Sequence, residues 1–155
     1  MADSLPTEIV PFLHQGHAAL RQLLTGLTTA TLDWKPGPET NSIAALVTHA
    51  MDAERHLTAL VADVALVRDR EAAFRVEGRT AAELTELIDA TERDVDGYLA
   101  RITPDRLAVT IVRPNRTATG AGWLLVVAAH SREHLGQATL TRQLAEQAEV
   151  DHPGR

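Results

Sequence analysis

Apolar residues recur at intervals of three and four through four long stretches of the chain, the spacing that gathers them on one face of an α-helix. Ile9, Leu13, Leu20, Leu23 and Leu27 mark the first, predicted over about residues 7–28 with Thr7 and Glu8 in its opening turn. Asn41 or Ser42 caps the second, whose stripe runs through Ile43, Leu46, Ala50, Ala53, Leu57, Leu60 and Val64. The third follows a break at Gly78, with Thr80 as cap and Glu83 three residues on, the spacing at which hydroxyl and carboxylate each satisfy the other's backbone N–H. Its inward face is Leu84, Leu87, Ile88, Thr91, Val95, Tyr98 and Ile102. The fourth runs from about Trp123 to Glu149, strongly apolar at first (WLLVVAA) and mixed afterwards. Pro36, Gly37 and Pro38 make residues 28–40 a connection, and the stretch 103–122 reads as a small hairpin or an irregular crossover.

Four helices of about 20 residues, each about 30 Å long, bury their stripes against one another as an all-α four-helix bundle. The length suits a single domain over residues 1–155. Connections of roughly 12 to 20 residues exceed the usual 2 to 8 or so. At about 3.3 Å per residue each can cross the full bundle, so spacing leaves the order of up and down helices open.

Composition narrows the chemistry. The chain has no cysteine, so disulfides, thiolate ligands and a cysteine nucleophile are excluded and any metal must be held by nitrogen or oxygen. Net charge is -6, and the arginines are scattered among acids rather than gathered in a stripe, which argues against nucleic acid as a partner. Lys35 is the sole lysine beside 14 arginines, a bias typical of GC-rich coding. The sequence shows neither a membrane-spanning apolar run nor a signal-peptide pattern at MADSLPTEIV, and the expectation is a cytoplasmic protein that does not associate with membranes.

The histidines carry the functional signal. His130 and His134, in HSREHLGQ, stand four apart on one helix face, continuing the side set by Trp123 and Val127. Two imidazoles side by side in an apolar interior lose hydration and resist charging, and a shared metal ion removes that difficulty. His49 borders the inward stripe of the second helix, with His56 seven residues on, and either can supply a third nitrogen. Gln137 and Asp52, one turn beyond His134 and His49, are candidates for the acceptor that fixes a ligand's tautomer. HSREH also fits the H-x-x-E-H pattern of inverted zinc peptidases, but the match extends over five letters and only 21 residues follow His134 to supply the further acid those enzymes use. Glu133 and His56 are candidate proton carriers. His17, Trp34 and Trp123 are candidate pocket walls, with the bundle interior as the alternative place for all three.

The block LDWKPGPETNSIAALVTHAMDAERH, the intervening RDREAAFRVEGRTAAEL and the later WLLVVAAHSREHLGQATLTRQL resemble the DinB/YfiT-like family of small metalloenzymes over most of the chain. That resemblance implies an up-down-down-up four-helix bundle with long crossovers, often dimeric, whose metal histidines fall on His49, His130 and His134. It implies a divalent metal, zinc or nickel, and for members of known activity a low-molecular-weight thiol such as mycothiol, used in S-transfer or isomerisation. The leading expectation is therefore thiol-dependent S-transferase or isomerase chemistry on a small molecule. The alternatives are metal-dependent hydrolysis and a non-catalytic, ligand-binding or dimerising bundle.

Overall fold

A computed structural model of the chain describes residues 5–151. Four long helices, α1 (Leu5–Leu24), α3 (Ile43–Val61), α5 (Ala81–Leu99) and α7 (Gly120–Asp151), form the bundle. Their connections carry α2 (Thr29–Asp33), α4 (Arg70–Phe74), α6 (Pro104–Ala108) and an antiparallel hairpin of β1 (Thr110–Arg113) and β2 (Arg116–Thr119). Local chemistry sets the starts: Ser42 accepts from the Ala45 N–H to begin α3, and Thr80 and Glu83 form the complete capping box of α5. α1 stops before Gly26, whose φ of 76° leaves the right-handed helix region. The segments 65–78 and 103–108 each contain a helical turn that periodicity over so few residues does not reveal.

Two apolar clusters give the directions of the helices. One contains Leu20 and Leu24 of α1, Ile43 to Met51 of α3, Leu84 and Ile88 of α5 and Ala138 of α7. The other contains Ile9 and Leu13 of α1, Val61 of α3, Val95 and Leu99 of α5, and Trp123, Leu124 and Val127 of α7. α1 and α7 pass from the second cluster to the first, α3 and α5 from the first to the second, which is an up-down-down-up bundle. α1 and α3 each pack against both α5 and α7. The parallel pair α3 and α5 requires a link that returns the length of a helix, and residues 62–80 have that reach.

Arginines tie the ends together. Arg106 donates from Nε to the Val61 carbonyl at 3.0 Å and Arg142 from Nη1 to the Leu23 carbonyl at 2.6 Å, each placing a cation at the negative end of a helix. Gly120 lies so close to α6 that an added Cβ would sit 2.2 Å from the Arg106 carbonyl oxygen, so only glycine admits this turn into α7.

Between the two apolar clusters lies a polar layer. His17 is 1% exposed and Glu54 is 1% exposed. The His17 ring donates from Nε2 to Glu54 Oε1 at 2.7 Å and from Nδ1 to Glu92 Oε2 at 2.9 Å, so it is the doubly protonated cation. Ser131 of α7 donates to the other oxygen of Glu54, and Arg21 joins Glu92 at 3.2 Å and Asp89 at 2.7 Å. His17 is thus a core residue held by acids, not the wall of a pocket. Trp123 is a core anchor as well, buried and donating from its indole N–H to the Ile111 carbonyl at 3.2 Å.

Removing one member of a buried pair strands the other's charge. His17→Leu is expected to lower unfolding free energy by about 3–5 kcal/mol, whereas His17→Leu with Glu54→Leu should recover most of the loss; urea denaturation of the three proteins measures the difference.

Candidate metal centre

His49 projects from the middle of α3 and is 3% exposed, while His130 and His134 project one turn apart from α7 and are half-buried. Their Nε2 atoms gather: His49 to His130 is 3.2 Å and His134 to His130 is 3.0 Å. Among the described residues this is the group of histidine, aspartate and glutamate side chains whose ligand atoms converge, all within 4.8 Å of one another. Nitrogens bound about 2.0–2.1 Å from one ion lie about 2.8–3.4 Å apart at octahedral to tetrahedral angles, so the donor chemistry suits a divalent cation and the two separations from His130 have the matching spacing.

Hydrogen bonding orients part of the set. Gln137 Oε1 accepts from His134 Nδ1 at 2.8 Å, which leaves the His134 Nε2 lone pair free to coordinate. His49 Nδ1 and His130 Nδ1 are buried with no hydrogen-bond partner among the described residues. Packing orients His49 instead: the Phe74 ring of α4 lies 4.2 Å from its ring, centroid to centroid, and Arg70 lies over the other ring at 5.6 Å. Asp52, a candidate acceptor for His49, is engaged by the Arg68 guanidinium. A salt bridge to a neighbouring cation outweighs a hydrogen bond to a neutral imidazole, which is why proximity on the helix did not decide the pairing.

Burial and neighbouring charge keep the His49 and His130 rings neutral. Burial lowers the His49 pKa to about 3, reinforced by the charges of His134, His130, Arg68 and Arg70. Burial lowers His130 to about 4, with His134, Arg68 and Arg70 adding to the effect. Neutral imidazole is the form that binds metal.

The remaining sequence candidates lie elsewhere. Glu133 is exposed on the outer side of α7, its Oε1 accepting from Gln137 at 3.4 Å. His56 is not beside the other three: its Nε2 accepts from Arg113 of the hairpin at 3.2 Å. Trp34 ends α2, half-buried, and does not line the cavity of about 330 Å³ formed by Pro36, Leu46, Gln137, Leu140, Thr141 and Leu144, which adjoins the centre at Gln137. Phe74, Arg68 and Arg70 escaped the sequence reading because they sit in a connection without periodicity. Glu54 was legible, as an acid on the apolar stripe between Ala50 and Leu57.

The profile of the DinB superfamily matches residues 13–138, and the chain belongs to that superfamily. Two solved structures share its architecture. A conserved protein from Enterococcus faecalis superposes with a TM-score of 0.79 at 18% identity, covering 94% of this chain and 99% of that one. A DinB-like protein from Bacillus subtilis superposes with a TM-score of 0.70 at 17% identity, covering 95% of this chain and 94% of that one. At these identities the likeness is one of fold. A search of curated proteins finds no significant match.

The histidines link stability to pH in opposite senses. His49 and His130 titrate lower when folded, so the unfolded chain takes up protons first and their contribution drains away as pH falls below about 6.5. For His17 burial lowers the pKa, but hydrogen bonds and charges from Glu54 and Glu92 outweigh it and raise the value, so its contribution is full below about 6.5 and lost as pH rises through its folded pKa. From pH 6 to pH 5 the His17 contribution is constant, and the urea midpoint of chelator-treated protein should therefore fall. In His49→Phe with His130→Phe the fall should be smaller.

Proposed function

We propose that this protein is a metal-dependent enzyme acting on a small molecule, with His49, His130 and His134 holding one divalent cation. The observation that supports this reading best is the convergence of the three Nε2 atoms, at 3.2 and 3.0 Å, from helices far apart in sequence. Nitrogen donors without thiolate suit zinc or nickel. Structural zinc sites close with four protein ligands, and a three-ligand set leaves room for an exogenous one. A cation bound there would act as a Lewis acid and lower the pKa of a coordinated water or thiol.

The chain's own residues do the rest. Gln137 holds the His134 tautomer, Phe74 shields His49 from solvent, and Arg68 and Arg70 keep the centre electropositive. The cavity beside Gln137, with Leu46, Leu140 and Leu144 in its wall, offers apolar surface to a substrate.

Within this reading the reaction is thiol-dependent S-transfer or isomerisation. The absence of cysteine from the chain means that a sulfur nucleophile must come from a cofactor, a low-molecular-weight thiol such as mycothiol. Hydrolysis is the less favoured reaction because its candidate proton carriers, Glu133 and His56, are turned to Gln137 and Arg113. Leu125, Leu140, Leu144 and Val150, 61%, 55%, 41% and 74% exposed along one broad side of α7, support a homodimer. Among the described residues no helix is long and apolar enough to cross a membrane; the proposed setting is the cytoplasm, and the net charge of -6 argues against nucleic acid as the partner.

Metal analysis of untagged protein is expected to find about one divalent ion per chain, lost in His49→Ala, His130→Ala and His134→Ala; retention in any of the three would refute its assignment. Gln137→Leu should weaken zinc affinity about tenfold, as read by competition with a chelating dye. On a panel of electrophiles, turnover should require both metal and added thiol. Ester cleavage without thiol would establish hydrolysis instead, and full stability after chelation with no turnover would establish a binding scaffold.

A further inference from the structure

One turn and two turns along α3 from His49, on the side facing residues 66–68, Asp52 and His56 form part of a small cavity of about 40 Å³, completed by Arg55, Leu66, Val67 and Arg68. Two of its lining residues carry buried polar atoms without a hydrogen-bond partner among the described residues, His56 Nδ1 and Arg68 Nη2. Both are donors. The His56 Nε2 accepts from Arg113 at 3.2 Å, so the proton of the neutral ring is on Nδ1, and a guanidinium nitrogen has only protons to offer. A buried donor left unpaired is unfavourable by about 1–3 kcal/mol, and two around one cavity describe a place for an acceptor.

Charge identifies the acceptor. Arg68 is balanced by Asp52 and Arg55 by Asp94, whereas Arg113 meets only the neutral His56 among the contacts that reach this cavity. The local surplus is a single positive charge. Its effect is seen on His56, whose pKa is lowered by burial and then by Arg68 and Arg113. A dianion would meet the Asp52 carboxylate with no second cation to offset it, whereas a monoanion with two acceptor oxygens matches both the donors and the charge. We propose that His56 and Arg68 form a carboxylate-binding subsite beside the three-histidine centre, and that the substrate of that centre is a small carboxylic acid or carries a carboxylate arm.

Arg68 is tied to Asp52, which stands one turn along α3 from His49, so an acid held by the Arg68 Nη2 would lie beside the same stretch of α3 that carries the histidine centre. The link to a reacting centre rests on the metal-dependent reading above. Recognition of the carboxylate does not.

The test uses the full-length protein, labelled with nitrogen-15 and kept metal-free with a chelator, so that an anion has no cation to bind. Sodium acetate is the probe, with chloride held at constant ionic strength and acetamide and inorganic phosphate as comparisons. Acetate should produce a saturable shift of the Arg68 Nε–H and His56 ring signals. Its affinity should fall about tenfold or more in Arg68→Gln and in His56→Phe, the second of which keeps the Arg68 to Asp52 pair and guards against a mere folding defect. A response that does not saturate, an equal response to acetamide, tighter binding of phosphate than of acetate, or an unchanged affinity in His56→Phe would overturn the subsite. Zinc stoichiometry of the same proteins, measured after the chelator is removed and zinc is added, separates the two readings: acetate binding without zinc binding retains the subsite and removes the metal centre, and zinc binding without acetate binding does the reverse.

Discussion

The buried pair of Glu54 and His17 constrains everything around it. An acid and an imidazolium, both almost fully shielded from water, are tolerated only if each is hydrogen-bonded on more than one side. Glu92, Arg21 and Ser131 supply those bonds, so all four long helices must meet at one level in one register. Apolar clusters above and below contribute most of the burial, but leucine and isoleucine faces permit sliding by a fraction of a turn. A charged layer does not. The up-down-down-up arrangement thereby acquires a fixed alignment of α3 against α7, the pair that carries the three converging imidazoles.

The candidate metal centre sits at the border of that layer and depends on it. Ser131, which reaches Glu54, is the neighbour of His130 in the chain, so the rotation of α7 that satisfies the buried acid also turns His130 and His134 toward His49. Burial then suppresses protonation of His49 and His130, with Arg68 and Arg70 adding to it from the connection between α3 and α5. Stability and chemistry share one source here: the low polarity that makes Glu54 costly unless paired is what keeps two imidazoles neutral and ready to coordinate.

The connections are therefore more than links. Residues 62–80 must span the bundle because α3 and α5 are parallel, and in doing so they lay Phe74 against His49 and bring Arg68 to Asp52. The segment between α5 and α7 places Arg106 on the end of α3 and Arg113 on His56. Each crossover covers one flank of the histidine-bearing stretch of α3, so the length that looks excessive for a bundle supplies the walls of the site.

Local pattern alone determined the four long helices, the cap at Thr80, and the shared face of His130 and His134, because these depend on contacts three or four residues apart, and it narrowed the cap of α3 to Asn41 or Ser42. The break at Gly78 was legible for the same reason, whereas the stripe through Leu27 carried the predicted first helix past its end at Leu24. His17 and Glu54 stood in plain sight on their apolar stripes, yet no rule of spacing says that a histidine on one helix meets an acid 37 residues away. Which of His49 and His56 joins the pair on α7, whether Asp52 serves a ring or a guanidinium, and whether Trp123 walls a cavity or fills a core were decided only by tertiary packing. Those outcomes turn on competition between partners brought together by the crossovers, and the winner is set by charge and distance in space, quantities that a one-dimensional period does not encode.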